Sequence, residues 1–231
     1  MRLMKKIIKH QIPEPDPLAL LTEGVAALGL ELAPAVLEQL QIYLEELKLW
    51  NAKTNLTALK TDRDIVIKHF LDSLAVLPFL DGVASVADLG SGGGFPGLAL
   101  KLARPQLALT LIEARDRKAA FLEYLVARFR LTGVKVVQTH LTPPLAQKWE
   151  PKVAAVVSRA AFILPRLLEL AAPLLAPGGV VLALKGVHLA FGELEAAGSA
   201  GQLLGLGPLE KHRYSLPLSG EPRLLVMARK L

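Results

Sequence analysis

A doubly wound α/β fold, with a mainly parallel sheet, helices on both faces and a closing antiparallel hairpin, is predicted by three features of the sequence. Short apolar runs alternate with helix-periodic stretches over residues 83–184. A glycine-rich turn, DLGSGGGFPG from Asp88 to Gly97, joins the first of those runs to the first of those helices. Two alternating strands, 209–214 and 223–227, flank SLPLSGEP near the end of the chain.

The 231 residues can bury one sizeable core with a small appendage. The expected division is a basic, proline-broken arm over 1–17, an N-terminal helical cap over 18–80 and an α/β domain over 81–231. The excess of 27 Lys and Arg over 21 Asp and Glu, a net charge of +6, favours a polyanionic partner without naming one. The absence of cysteine excludes disulfides, thiolate metal sites and cysteine-nucleophile methylation at carbon 5 of pyrimidines. The opening MRLMKKIIKH is charged and is interrupted at once by Pro13, Pro15 and Pro17, which does not fit a signal peptide. No apolar run reaches membrane-spanning length, so a cytoplasmic, monomeric protein with no membrane partner and no metal is expected.

In chain order, the prolines of the arm forbid a regular helix, and its Arg2, Lys5, Lys6 and Lys9 are either solvated charge or contacts to a phosphate backbone. Over 18–80 the pattern is helical, with Leu37, Leu40, Leu44 and Leu47 forming one apolar stripe. Inside it, WNAKTNLTAL over 50–59 carries Asn51, Thr54, Asn55 and Thr57, residues suited to ending one helix and opening another segment. KHFLDSL over 68–74 places His69, Asp72 and Ser73 on one helix face, either as a hydrogen-bonded structural set or as pocket residues. A third ligand is missing, so this is not a metal site.

The run over 83–89 delivers Asp88 to the glycine turn. Gly90, Gly92, Gly93 and Gly94 have no side chains, so a ligand can lie against the backbone, facing the amides that open the next helix. Pro96 suits that helix's first turn. Gly92, Gly94 and Gly97 also satisfy the dinucleotide pattern G-x-G-x-x-G. Asp88, two residues before Gly90, decides between the two cofactor classes: its carboxylate would repel a pyrophosphate and attract the ammonium or sulfonium of S-adenosylmethionine. The pattern thus resembles motif I of the class I methyltransferases.

A strand over 107–112 ends in Glu113, an acid placed to accept from ribose hydroxyls. The helix from Asp116 carries Ala119, Leu122, Val126 and Phe129 on one side and stops at Gly133. After a strand over 134–137, QTHLTPPL offers Leu141 to pack on an adenine and Thr142 or a backbone amide to bond its edge, or else serves as a rigid connector stiffened by Pro143 and Pro144. A strand over 153–157 leads into SRAAF, which lacks the Asn or Asp, two prolines and an aromatic that grip exocyclic amino groups. Arg159, at that strand's carboxyl end, is placed to meet a cofactor carboxylate or a phosphate. A helix over 164–175 is expected to end at Pro177, Gly178 and Gly179, before a strand over 180–184 that delivers Lys185.

Six stretches fall in one order: WNxxxNLT at 50–57, HFLDSL at 69–74, DLGSGGGFPG at 88–97, SRA at 158–160, LKG at 184–186 and Pro222-Arg223. Together they resemble the RsmG family, formerly GidB or glucose-inhibited division protein B, over nearly the whole chain from Leu18. The resemblance implies a class I, Rossmann-like fold and methyl transfer from S-adenosylmethionine to nitrogen 7 of a guanine in the 16S ribosomal RNA of the small subunit. It also implies cofactor contacts at Gly90, Phe95, Leu141, Thr142 and Arg159, with Asp88 and Glu113 in the usual class I roles. One departure stands out: the family typically has Arg-Ala-Glu-Glu after the third strand, and this chain has His140, Leu141, Thr142 and Pro143. The acid that would accept from the adenine amino group is therefore missing. Candidates for RNA phosphate contacts are Lys185, Arg223 and the arm, while His69, Asp72 and Ser73 are candidate pocket residues. A nicotinamide-dependent oxidoreductase and a non-catalytic RNA-binding or assembly protein are the rival readings.

Overall fold

Asp16 opens the first helix by accepting from the Leu18 amide, and Pro17 fills a position where its missing N–H has no partner to lose. The computed structural model describes residues 15–231, so Arg2, Lys5, Lys6 and Lys9 of the arm lie outside the described residues. Helix α1 spans Pro17–Ala27 and helix α2 spans Pro34–Thr54. Leu40, Tyr43, Leu44 and Leu47 form the buried stripe of α2, which ends at Asn55 in a left-handed conformation.

The next helical stretch changes its pitch. Helix α3, Asp62–Ile65, is capped by Thr61 and passes into a π-helical turn at Val66–Leu71, then into α4 at Asp72–Leu74. Asp72 N–H donates to the Ile67 carbonyl, the five-residue span of that wider turn.

Seven strands follow: β1 Ser85–Leu89, β2 Ala108–Glu113, β3 Val134–Gln138, β4 Val153–Arg159, β5 Leu175–Gly186, β6 Glu210–Ser215 and β7 Pro222–Arg229. They form one sheet in the order β3-β2-β1-β4-β5-β7-β6. The first five run parallel, β7 pairs antiparallel with β5, and β6 pairs antiparallel with β7. Between them lie α5 Gly97–Ala103, α6 Asp116–Arg128, α7 Pro143–Gln147, α8 Leu164–Ala171 and α9 Glu193–Leu203.

Both faces of the sheet are covered, and period 2 assigns each strand residue to one of them. Val86, Leu111, Val157 and Leu182 pack on one face with α1, α2, α5 and α6. Ala87, Leu89, Val156 and Val181 pack on the other with α7 and α8. The helices before β1 therefore share a continuous core with the sheet.

One boundary departs from expectation. The helix expected over 164–175 stops as an α-helix at Ala171, followed by a 3₁₀ turn at Ala172–Leu174, and Pro177-Gly178-Gly179 belongs to β5. Leu175 pairs with Val153 and Val180 with Ala155, so the intervening residues bulge out of the β4 register. Gly178 N–H donates to the Lys230 carbonyl and Lys230 N–H to that of Gly179, which satisfies the bulged backbone.

Candidate active site

The strand order reverses between β1 and β4, and a crevice opens at the carboxyl ends of strands where such a reversal occurs. A cavity of about 440 Å³ sits there, walled by Gly90 to Gly93 after β1, Glu113 at the end of β2, Thr139 to Leu141 after β3, and Arg159 at the end of β4.

The glycine turn makes one flat wall. A Cβ on Gly92 would meet only the Gly90 carbonyl, at 3.8 Å, and would otherwise stand in the open cavity. Gly90, at φ +72°, closes the wall against the next loop: a Cβ there would fall 2.6 Å from Ala161 Cβ. Gly94 is not part of the wall; it faces Tyr43 and Leu98 in the core behind the turn. Tyr43 Oη donates to the Gly93 carbonyl and so ties the turn to α2.

Asp88 corrects the expectation that its carboxylate lies beside the ligand. It is fully buried and does not line the cavity, because period 2 turns it to the Val86 side, under the turn. Gly97 N–H donates to Asp88 Oδ2 at 2.9 Å, so the carboxyl caps the first turn of α5, while Oδ1 has no partner among the described residues. Burial pushes this carboxyl up to about 7, against the lowering effect of the Gly97 amide and Arg159.

Glu113 faces the cavity from the opposite side of the turn. Its two carboxylate oxygens accept from the amides of Gly92 and Arg115, both at 2.8 Å, and bind the turn to the end of β2. A carboxylate held in this way is oriented for a vicinal diol. Leu141 supplies an apolar wall, whereas Thr142 stands at the start of α7, outside the cavity; Thr139 and His140 line it instead.

At the other end stands Arg159. Its guanidinium lies 5.1 Å from the centre of the Phe95 ring, and Nη1 donates to the Lys68 carbonyl at 2.6 Å. Asp72 Oδ2 lies 3.8 Å from Arg159 and 3.7 Å from Arg223, and Tyr214 Oη donates to Asp72 Oδ1 at 2.7 Å. Burial pushes the Asp72 carboxyl up, opposed by Arg159, Tyr214 and Arg223. Phe95 itself is stacked between Tyr43 at 5.1 Å and His69 at 4.8 Å.

None of the HFLDSL candidates lines the cavity. His69 Nε2 is paired with Thr57 Oγ1 at 2.7 Å, and burial with the nearby Arg159 lowers its pKa to about 3. Ser73 Oγ donates to the His69 carbonyl, and Asp72 acts one residue removed, through Arg159. Thr57 is in turn held by Asn51, which both accepts from its amide and donates to its carbonyl.

The two expected phosphate contacts are consumed internally. Lys185 donates to the Phe162 carbonyl and pairs with Glu193 at 3.2 Å, with both side chains nearly buried. Arg223 pairs with Glu221 at 2.7 Å and with Asp72. Sequence reasoning also missed Leu56, Arg115 and Lys118 in the cavity wall. Arg115 and Lys118 follow closely on Glu113, and Leu56 lies within the WNxxxNLT stretch, which are the signals that could have found them.

Comparison with known proteins gives a family and a fold. A family model described as rRNA small subunit methyltransferase G matches residues 36–212. A ribosomal RNA small subunit methyltransferase G of Geobacter sp. (strain M21) is 39% identical over 208 residues, covering 90% of this chain and 95% of the relative. Its namesake from Deinococcus deserti is 41% identical over 220 residues, covering 94% and 89%. Among solved structures, an O-methyltransferase from Bacillus cereus in complex with SAH superimposes with a TM-score of 0.59 at 17% identity, covering 82% of this chain and 90% of that one. A methyltransferase from Pyrococcus furiosus gives 0.55 at 16% identity, over 82% and 97%. At that identity the two structures speak for the fold alone.

Proposed function

The chain belongs to the rRNA small subunit methyltransferase G family, and from that premise we propose that it transfers a methyl group from S-adenosylmethionine to nitrogen 7 of a guanine in the 16S RNA of the small ribosomal subunit. The observation that carries this reading is the pairing of Glu113 and Arg159 across a cavity floored by Gly92. One end suits a ribose diol, the other an amino-acid carboxylate, and the space between is one that a Cβ on Gly92 would fill. The residues therefore fit S-adenosylmethionine, which supplies a methyl group on a positively charged sulfur.

The rest of the work is positioning. Nitrogen 7 of guanine holds a lone pair in the ring plane and loses no proton on methylation, so the reaction asks for alignment rather than a general base. Consistent with this, His69 is held neutral, with Nε2 committed to Thr57. Phe95, wedged between Tyr43 and His69, fixes the position of the Arg159 guanidinium, and Asp72 holds that guanidinium from behind. Guanine stacked in a duplex cannot enter such a cavity, so the target is an unpaired or splayed base. A ribosomal substrate implies action in the cytoplasm.

The test is labelled S-adenosylmethionine with small subunits or rRNA lacking the modification, followed by nuclease digestion and mass spectrometry. Label recovered in 7-methylguanosine is expected. Label at another atom would overturn the target assignment, and no transfer with either substrate would overturn the enzyme reading.

A further inference from the structure

With Lys185 and Arg223 consumed internally, the surface that grips the substrate must lie elsewhere. We infer that single-stranded RNA flanking the target guanine docks on the edge formed by the β4–α8 and β5–α9 loops, with a base stacked on Phe191 and phosphates on Lys211 and Arg213. The inference rests on the proposed RNA methylation.

Two large apolar side chains stand in solvent at this edge: Phe191 is 109% exposed and Ile163 is 61% exposed. The loops that carry them are joined by one buried pair. Lys185 donates to the Phe162 carbonyl, and Glu193, paired with Lys185, accepts from the amides of Leu164 and Ala190. Lys185 thus clamps the platform on which Phe191 and Ile163 are presented. The first loop also forms the cavity rim through Ala161 and Phe162, so an RNA strand feeding a base into the cavity passes along this edge.

Behind Phe191 lies a groove of about 830 Å³ between the β5–α9 loop and β6. Its polar lining is Lys211 and Arg213 against the one carboxylate of Glu195, and neither cation makes an ion pair with any described residue. Both lie on the outward face of β6, where alternation turns His212 and Tyr214 inward. An exposed aromatic beside unpaired cations matches a strand of bases and phosphates, since every base has a face to stack and every linkage a charge. A purely apolar partner would leave both cations without a counter-charge.

The test uses the full chain, as wild type, Phe191→Ala and Lys211→Ala/Arg213→Ala, with small ribosomal subunits lacking the methyl group as the probe. S-adenosylhomocysteine titration and thermal unfolding serve as controls and are expected to match wild type, because the substituted side chains are exposed. Loss of one stacked base weakens subunit binding about tenfold or more in Phe191→Ala. Loss of two phosphate contacts lowers the slope of log K against log salt by about 1.4 in the double variant. Unchanged affinity in both variants overturns the inference, and so does weaker binding with an unchanged salt slope, which would assign the edge to a ribosomal protein. If wild type neither binds nor methylates subunits, the proposed function has failed and the inference falls with it, an outcome distinct from variants that behave like wild type.

Discussion

Replacing Asp88 with Asn tests what this carboxyl does beneath the glycine turn. In the folded protein its pKa stands at about 7, against an ordinary 3.8, with burial as the main cause. Between those values the folded protein holds a proton on Asp88 that the unfolded chain has released, so the contribution of Asp88 to stability falls as pH rises from about 4 to 7 and is flat above. At about 1.4 kcal/mol per pH unit, the gap from 3.8 to about 7 amounts to on the order of 4 kcal/mol. Asn keeps an oxygen for the Gly97 amide but places an NH₂ where Oδ1 has no partner among the described residues, at a pH-independent cost of about 1–3 kcal/mol. The variant should therefore be the less stable protein near pH 4 and the more stable one at pH 8. Urea unfolding of both proteins across that range reads the difference directly. Parallel stability curves would refute the assignment of a buried, proton-holding carboxyl. The same variant tests its distance from the cofactor: lying outside the cavity wall, Asp88→Asn should shift the affinities for S-adenosylmethionine and S-adenosylhomocysteine equally. A selective loss of the former would place the carboxylate beside the sulfonium.

Three further substitutions follow from contacts at the site. Asp72→Asn leaves Arg159 and Arg223 without their shared buried acid; a loss of about 3–5 kcal/mol in urea unfolding and weaker S-adenosylhomocysteine binding by calorimetry are expected. Gly90→Ala places a Cβ 2.6 Å from Ala161 at φ +72°; it should cost about 1–3 kcal/mol and reduce cofactor affinity, and wild-type calorimetry would contradict the tight closure of that wall. Lys185→Met strands the Glu193 carboxylate; thermal stability should drop while the salt slope of subunit binding stays at the wild-type value, whereas a slope lower by about 0.7–0.9 would restore Lys185 as a phosphate contact.

Placement along the chain was legible, and commitment to partners was not. Glu113 and Arg159 each end an apolar run in the sequence and a strand in the structure, and the end of a parallel strand is a position that local pattern alone defines. The side of the sheet is legible from alternation: Asp88 shares its face with the buried Val86, which sends it under the turn rather than into the cavity. Lys185 and Arg223 occupy comparable strand-edge positions, yet Glu193 and Asp72 neutralise them, and those pairings depend on the whole topology. The HFLDSL residues likewise commit to partners that local spacing does not name: His69 to Thr57, Asp72 to Tyr214 and Ser73 to the His69 carbonyl. Strand ends thus show where charge is delivered to the crevice, but whether that charge is available depends on acids brought in from distant elements. For this chain, that distinction separates Arg159, which faces the cavity, from Lys185, which holds two loops together.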